Sequence, residues 1–404
     1  MKNINLGRII LFESTRPYNP NTGGSYRSMR VVVESLNNAG YKIFIVSYVK
    51  NSLLKFPNLD NVENIVIKHF SLRALINKIK KGSNKSINSS KKNLSKTSKI
   101  QSMVSKIIAN VFLPLNILNL ILVIKKIRPE FLYCNTGIPN DKQAIIASII
   151  SNVSVFCHLR NLPNISIFDR YLSRKLSGTI SISNTVSSHY LTCGCILKNN
   201  MIIHNALGRD FENTEFELGD QILNKGEDFK ISCFSRLIEW KGIETLIIAF
   251  KLFRDLGGNG TLSIFGNGPI KDYLETRAEE LKISKYITFH GYVSNVIEEM
   301  KKSSIIVAPS DLDEPLGRVA MESKRLGIPV IASDKGGFLE IINHRVNGLL
   351  FEQKSYDALS KTIYDIYNNL SLRLSLAEEG LKQSKEWSSK NYSKNLLKFI
   401  EENK

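Results

Sequence analysis

The chain has 404 residues, 43% of them hydrophobic, enough for two domains of about 200 residues that each bury a core. Its five cysteines, at 134, 157, 193, 195 and 233, are odd in number and show no repeated CxxC spacing, which argues against a disulfide framework and fits a reducing compartment. The formal net charge of +18 is unevenly placed, and where it lies matters more than its size.

In chain order, the apolar run 9–12, bounded by Arg8 and Glu13, is too short for a signal peptide. It reads as a first buried strand, 8–12, ending in a loop that carries Gly23 and Gly24. Strands come next at 42–47 and 65–68. Between residues 64 and 129 stand fourteen Lys or Arg and no Asp or Glu. The middle of that stretch, KKGSNKSINSSKKNLSKTSK, has almost nothing apolar to offset its ordering entropy and reads as a mobile loop. Its flanks are apolar with cationic edges. The longest apolar run, 111–124, has 14 residues interrupted by Pro114, Asn116 and Asn119, and a spanning helix needs about 20, so no crossing is expected. Two readings stay open for the segment 64–129. One is an interfacial patch on an anionic membrane surface, each cation contributing about 1 kcal/mol; the other is a solvated loop beside a core helix. Nucleic acid is disfavoured as a partner, because only Phe70 and Phe112 are there to stack on bases.

Strands at 131–134, 153–158 and 179–183 complete a first domain, 1–207. The acid-rich stretch 208–228 reads as a linker. Strands at 230–234, 262–265, 287–289, 305–308 and 330–332 build a second domain, 229–385, and a last helix occupies 386–404. Alternating strands and helices imply an α/β class with parallel sheets covered on both faces.

The densest chemistry lies in DEPLGRVAMESKRLGIPVIASDKGGFLEII. Glu314, Pro315 and Gly317 are expected to open a helix that stops at Gly327, with Glu322 two turns inside it, and Gly336 and Gly337 to open another. Two helix N-termini aimed at one crevice favour phosphate, whereas the carboxylates suit hydroxyl groups. A sugar nucleotide wants both. Earlier, SRLIEWKG places Arg236 and Lys241 just after a strand, where ligands of open α/β sheets gather. A guanidinium suits bidentate phosphate contact and an ammonium adds a point charge. His158 closes the apolar strand VSVFCH, with Arg160 two residues on as a possible acceptor contact. Asp311 and Asp313 form a short Asp-x-Asp in the wrong context for a metal site, and the histidines show no metal-ligand spacing.

These motifs resemble the retaining glycosyltransferases of family 4, strongly over 232–352 and weakly over about 70–129. The resemblance implies the GT-B fold, two Rossmann-like doubly wound domains facing across a cleft, with the last helix returning to the first. It implies that Glu314 touches the transferred sugar and Glu322 the ribose, and that Arg236 and Lys241 hold the diphosphate. Gly266, in LSIFGNGP, Val293, in ITFHGYV, and Leu316 and Gly317 beside Glu314 would complete the donor site. Gly23 and Gly24 match the glycine loop near the diphosphate, and His158 a sugar-contacting histidine. Asn205, in IIHNAL, departs from the family's proline–asparagine–glycine turn. The resemblance further implies a metal-independent hexosyltransferase, without cofactor. It would move a sugar from a nucleoside diphosphate to a lipid-linked or oligosaccharide acceptor, at the cytoplasmic face of the plasma membrane, for capsule, lipopolysaccharide or a similar bacterial polysaccharide. A sugar-nucleotide epimerase, a phosphorylase and an inactive membrane-bound partner are the alternatives.

Overall fold

The computed structural model describes residues 7–13, 24–48, 59, 61–67, 113–214, 223–224 and 226–404. Gly23, Lys80, Lys81, Lys91, Lys92, most of the basic segment and residues 215–222 of the expected linker lie outside the described residues.

The first unit runs β1 (Arg8–Glu13), α1 (Gly24–Asn38), β2 (Lys42–Ser47), β3 (Val62–Val66), α2 (Leu113–Ile127), β4 (Phe131–Cys134), α3 (Ile138–Ile150), β5 (Ser154–Leu159), α4 (Ile167–Ser173), β6 (Gly178–Ser181), α5 (Asn184–Thr192), β7 (Asn200–Ile202) and α6 (Arg209–Glu212). The second runs β8 (Phe229–Phe234), α7 (Ile243–Asp255), β9 (Gly260–Phe265), α8 (Lys271–Glu280), β10 (Ile287–Gly291), α9 (Val296–Lys301), β11 (Ile305–Ala308), α10 (Arg318–Arg325), β12 (Val330–Ser333), α11 (Phe338–Ile341), β13 (Leu349–Phe351), α12 (Tyr356–Asn368) and α13 (Leu370–Ser384), and α14 (Ser389–Asn403) ends the chain.

Two parallel sheets result, one of seven strands in the order β3-β2-β1-β4-β5-β6-β7, one of six in the order β10-β9-β8-β11-β12-β13. In each, the order reverses beside the first strand, between β1 and β4 and between β8 and β11. Those switch points are where ligands enter open α/β sheets. The central strands are buried on both faces, β1 and β4 almost completely, as the near-continuous apolar runs require.

Three sequence expectations need correcting. The third strand sits at Val62–Val66 rather than 65–68: it is an edge strand, little buried, whose pattern has no core face to read. Two further edge strands, β7 and β13, have only three residues each, below the length at which periodicity shows. Helix α10 begins at Arg318, so Pro315 precedes it. Glu314 is held extended by a parallel bridge to Gly336, and Gly317, at φ +85°, occupies the N-cap. Glu322 is therefore the fifth helical residue, about one turn inside.

Helix α14 packs on the first sheet. Its Tyr392, Leu396, Phe399 and Ile400 join the buried cluster of Ile9, Leu11, Phe131, Phe156 and Ile180, with Phe399 5.3 Å from Phe156 ring to ring. Among the described residues no helix is long and apolar enough to cross a membrane.

Candidate active site

The switch point of the second sheet is built by two loops. After β8, a single 3-10 turn (Glu239–Lys241) presents Lys241, and Gly242 at φ +65° turns the chain into α7. After β11, the loop 309–317 presents Glu314. Lys241 Nζ lies 2.5 Å from Glu314 Oε2, and Ser310 Oγ donates to the same oxygen at 3.0 Å. The ammonium also sits 4.1 Å over the Trp240 ring, a cation–π contact that helps hold it. Cys233, Ser235, Lys241, Ser310, Glu314 and Phe338 line a small open pocket here. The acid and base expected from the sequence are thus brought together as a partly buried pair, 16% and 15% exposed.

The Glu314 loop and the glycine-rich turn before α11 are interlocked. A Cβ on Gly317 would lie 2.5 Å from the Phe338 ring, and one on Gly337 2.5 Å from Leu316 Cα. Gly317 and Gly337 are required by loop-on-loop packing. Leu316, expected beside the donor, has its side chain in the core. Gly337 N–H donates to the Glu314 carbonyl at 2.7 Å, and α11 has only four residues. The expected pair of open helix N-termini therefore does not form; that of α10, which has no side-chain cap, is the one that stays open. Gly266, at φ +131°, likewise has a packing reason, since a Cβ there would sit 1.8 Å from the Ser235 carbonyl. It brings the β9 loop against the strand end that leads to Arg236. Arg236 is exposed, and its guanidinium makes no ion pair among the described residues. Val293 is half-buried in the loop after β10.

Glu322 belongs to a different network. Its Oε1 accepts from Arg318 at 3.0 Å and from Arg27 of α1 at 3.5 Å, while Arg318 Nη1 donates to Ser28 at 2.9 Å. The two carboxylates are divided between a lysine pair and an arginine bridge that joins the domains. Asp311 accepts from Thr245 Oγ1 at 3.1 Å, while its N–H donates to the Trp240 carbonyl at 2.8 Å; burial raises its pKa. It holds the loop, and Asp313 is exposed.

The switch point of the first sheet carries a buried polar floor. Arg160, 9% exposed, donates through Nε to the Asn135 carbonyl at 3.0 Å, through Nη1 to Asn205 Oδ1 at 2.6 Å and through Nη2 to Asn135 Oδ1 at 3.0 Å. Asn135 Nδ2 in turn donates to Glu13 Oε2 at 2.9 Å. Asn205, the departure from the family's turn, thereby acquires a partner. His158 is fully buried. Its Nδ1 is 3.0 Å from Arg160 Nη2 and 2.6 Å from the Tyr133 hydroxyl. An arginine can only donate, so Nδ1 accepts and the proton resides on Nε2, which has no partner among the described residues. Burial, then the Arg160 charge, hold the His158 pKa well below its ordinary value. The imidazole is neutral, with one unspent donor. Gly24 opens α1.

The C-terminal edges of the sheets face each other. Ser183 Oγ, at the N-cap of α5, donates to the Pro315 carbonyl at 2.5 Å, and Glu340 of α11 reaches the same helix end. Sequence reading missed Glu13, Asn135, Ser183 and Glu340. The first two lie at or just past strand ends, and Glu340 closes the GG-x-x-E motif. Those positions were the available clues.

Residues 215–383 match the family described as Glycosyl transferases group 1. Among curated relatives, an uncharacterized glycosyltransferase of Methanocaldococcus jannaschii is 36% identical over 33% of this chain and 35% of its own length. A GDP-mannose-dependent alpha-(1-6)-phosphatidylinositol monomannoside mannosyltransferase of Mycobacterium tuberculosis is 28% identical over 35% of this chain and 39% of its own. The chain thus spans little more than a third of these relatives' lengths. The capsular polysaccharide biosynthesis glycosyltransferase CapM of Staphylococcus aureus is 23% identical over 66% of this chain and 75% of its own. Among solved structures, Anabaena HepE in complex with UDP superposes with a TM-score of 0.75 at 16% identity, covering 98% of this chain and all of that one. Sucrose-phosphate synthase of Thermosynechococcus elongatus gives 0.75 at 15%, covering 98% of each. Both likenesses concern the fold. The chain has the GT-B fold, and its residues 215–383 match the model of the group 1 glycosyl transferases.

Proposed function

We propose that this protein transfers a sugar from a nucleoside diphosphate to a saccharide acceptor during assembly of a surface polysaccharide. The observation that carries the reading is the Lys241–Glu314 pair at the β8/β11 switch point, with the exposed Arg236 in the same loop after β8. Cleaving a glycosyl–phosphate bond places negative charge on the departing diphosphate. Lys241 and Arg236 supply fixed positive charge for it, worth most where water is excluded. A diphosphate that takes the Lys241 ammonium releases the Glu314 carboxylate to accept from hydroxyls of the transferred sugar, and Glu322 serves the ribose. The charge is met by side chains, so the reaction needs no metal. His158 offers its Nε2–H to a sugar hydroxyl across the cleft. The anomeric configuration is retained, the departing phosphate taking the acceptor proton.

The acceptor is lipid-linked in this reading, and the first domain docks on anionic membrane. Leu115, Leu118 and Leu122 of α2 are exposed, as are Ile167, Phe168 and Tyr171 of α4. The acids of α3 and α4, Asp141 and Asp169, are buried, so the face these helices present is apolar and cationic. That combination suits an interfacial surface. Relatives named for phosphatidylinositol monomannoside and capsular polysaccharide support the assignment.

A panel of sugar nucleotides screened by thermal shift, followed by analysis of the product's anomeric configuration, tests the proposal. A ligand at about 100 times its dissociation constant adds about 2.7 kcal/mol. If no sugar nucleotide shifts the melting temperature, the donor reading fails. Sedimentation with anionic but not neutral vesicles tests the membrane part.

A further inference from the structure

The Glu340 carboxylate, on α11 of the second domain, is aimed at the N-terminus of α5 in the first. Oε2 accepts from Asn184 N at 2.8 Å and Asn184 Nδ2 at 2.9 Å, and Oε1 from Thr185 N at 2.9 Å and Thr185 Oγ1 at 3.1 Å. His204 Nε2, just after β7, lies 3.3 Å from Oε2. Both oxygens are spent on the first domain, and the side chain is 14% exposed. Burial alone would raise the Glu340 pKa. The hydrogen bonds from His204, Asn184 and Thr185 outweigh it and hold the group down at about 2. The carboxylate thus caps a helix of another domain, where free N–H groups and the dipole favour an anion.

The cap is coupled to the reacting loop. Helix α11 starts one residue after Gly337, whose N–H holds the Glu314 carbonyl at 2.7 Å, and Gly336 bridges to Glu314. The next residue, Pro315, is held from the first domain by Ser183 Oγ at 2.5 Å, and Ser183 is itself the N-cap of α5. One helix terminus therefore grips the Glu314 loop twice, directly at Pro315 and through Glu340 by way of the glycine turn. No free sliding is available between these loops, because the glycines leave no clearance.

We infer that Glu340 is a positioning residue: its docking on the α5 N-terminus latches the two domains together and sets the placement of Glu314 in the closed cleft. The functional arm of this inference rests on the donor-site reading above, while its structural arm stands alone. Without the latch the domains open and Glu314 loses its register against the first domain. The nucleotide contacts, which lie within the second domain, are spared.

The test is solution scattering of the full chain as Glu340→Ala, Glu340→Lys and Glu340→Gln beside the wild type, combined with calorimetric titration of UDP and GDP. The wild type should be compact. Ala should enlarge the radius of gyration and Lys enlarge it further, since it sets a cation against the positive helix end, while Gln, which keeps one acceptor oxygen, should fall between wild type and Ala. Nucleoside diphosphate affinity should be unchanged in all three, while turnover of Glu340→Ala falls about 100-fold, the effect of a 1 Å misplacement. Gln should recover part of that loss. Scattering curves of Ala and Lys that superpose on the wild type would overturn the latch, whatever the protein's substrate. A drop in nucleotide affinity matching the drop in turnover would overturn the positioning role, because it would mean that Glu340 supports the second domain alone.

Discussion

The two switch points use charge in opposite ways. At the second sheet, Arg236 is exposed and Lys241 is partly accessible, held by one acid and one ring. At the first, Arg160 is buried and its guanidinium is consumed by Asn135, Asn205 and His158, so the floor is rigid and keeps a single neutral donor, His158 Nε2–H, buried and unspent among the described residues. A charge that must meet a diphosphate has to remain reachable. A charge that only orients a histidine gains by burial, because hydrogen bonds are stronger away from water. One edge therefore keeps its cations reachable, while the other spends its own on architecture.

Substitutions should separate the two uses. Arg236→Ala and Lys241→Ala should each lower turnover by about 100-fold or more, comparable to removing one preorganised donor from a reacting centre. Arg236→Ala should alter stability by no more than about 0.5 kcal/mol, as exposed substitutions do. Steady-state assays with urea unfolding check both, and near-native turnover in both variants would move the diphosphate elsewhere.

Arg160→Leu should do the reverse. It strands Asn135 Oδ1 and Asn205 Oδ1 in a buried site, and each unsatisfied buried group costs about 1–3 kcal/mol. A loss of about 3 kcal/mol or more in urea unfolding is expected, with nucleotide affinity preserved. Stability within about 0.5 kcal/mol of wild type, the range of an ordinary surface substitution, would show that the floor is not a structural unit.

The smallest effect concerns a cation used for neither purpose. Lys324 of α10 is 1% exposed, and its Nζ donates to the Ile341 carbonyl at 2.5 Å and Gln383 Oε1 at 2.8 Å. Burial lowers its pKa from 10.5 to about 7, against a smaller opposing pull from Glu386. Between those values the unfolded chain binds the proton and the folded chain does not, so stability rises with pH across that window. The contribution is lost as pH falls toward 7. The slope should approach about 1 kcal/mol per pH unit near pH 8–9, and Lys324→Met should flatten it. Unfolding midpoints at pH 7.5 and 9 provide the check.

The legibility of the fold and the site in the sequence divides along the same line. Strands β2, β4 and β11 coincide with expectation at both ends because buried parallel strands are short apolar runs with sharp limits. The Lys241–Glu314 meeting was legible because both residues come after central strands that neighbour one another at a switch point. Glu322 was only half legible. Its helix is there, but its partners Arg27 and Arg318 lie 295 and 4 residues away, and the distant one has no local signature. The glycines at 266 and 317 entered as donor-site residues through the resemblance alone, and the packing reason each has, against the Ser235 carbonyl and the Phe338 ring, had no signal in the sequence. The Glu340 cap joins residues 155 and 156 positions apart and depends on how the domains sit, which no periodicity encodes.

The measurement that bears most directly on the division of labour is calorimetric titration of UDP and GDP into the wild type and into Arg236→Ala, Glu322→Ala, Glu314→Ala and His158→Asn. The nucleotide should bind the second edge. Arg236→Ala and Glu322→Ala should therefore lose affinity by about tenfold or more, about 1.4 kcal/mol, while Glu314→Ala and His158→Asn, placed at the sugar, keep most of it. A larger loss in Glu314→Ala or His158→Asn than in Arg236→Ala and Glu322→Ala would contradict the account.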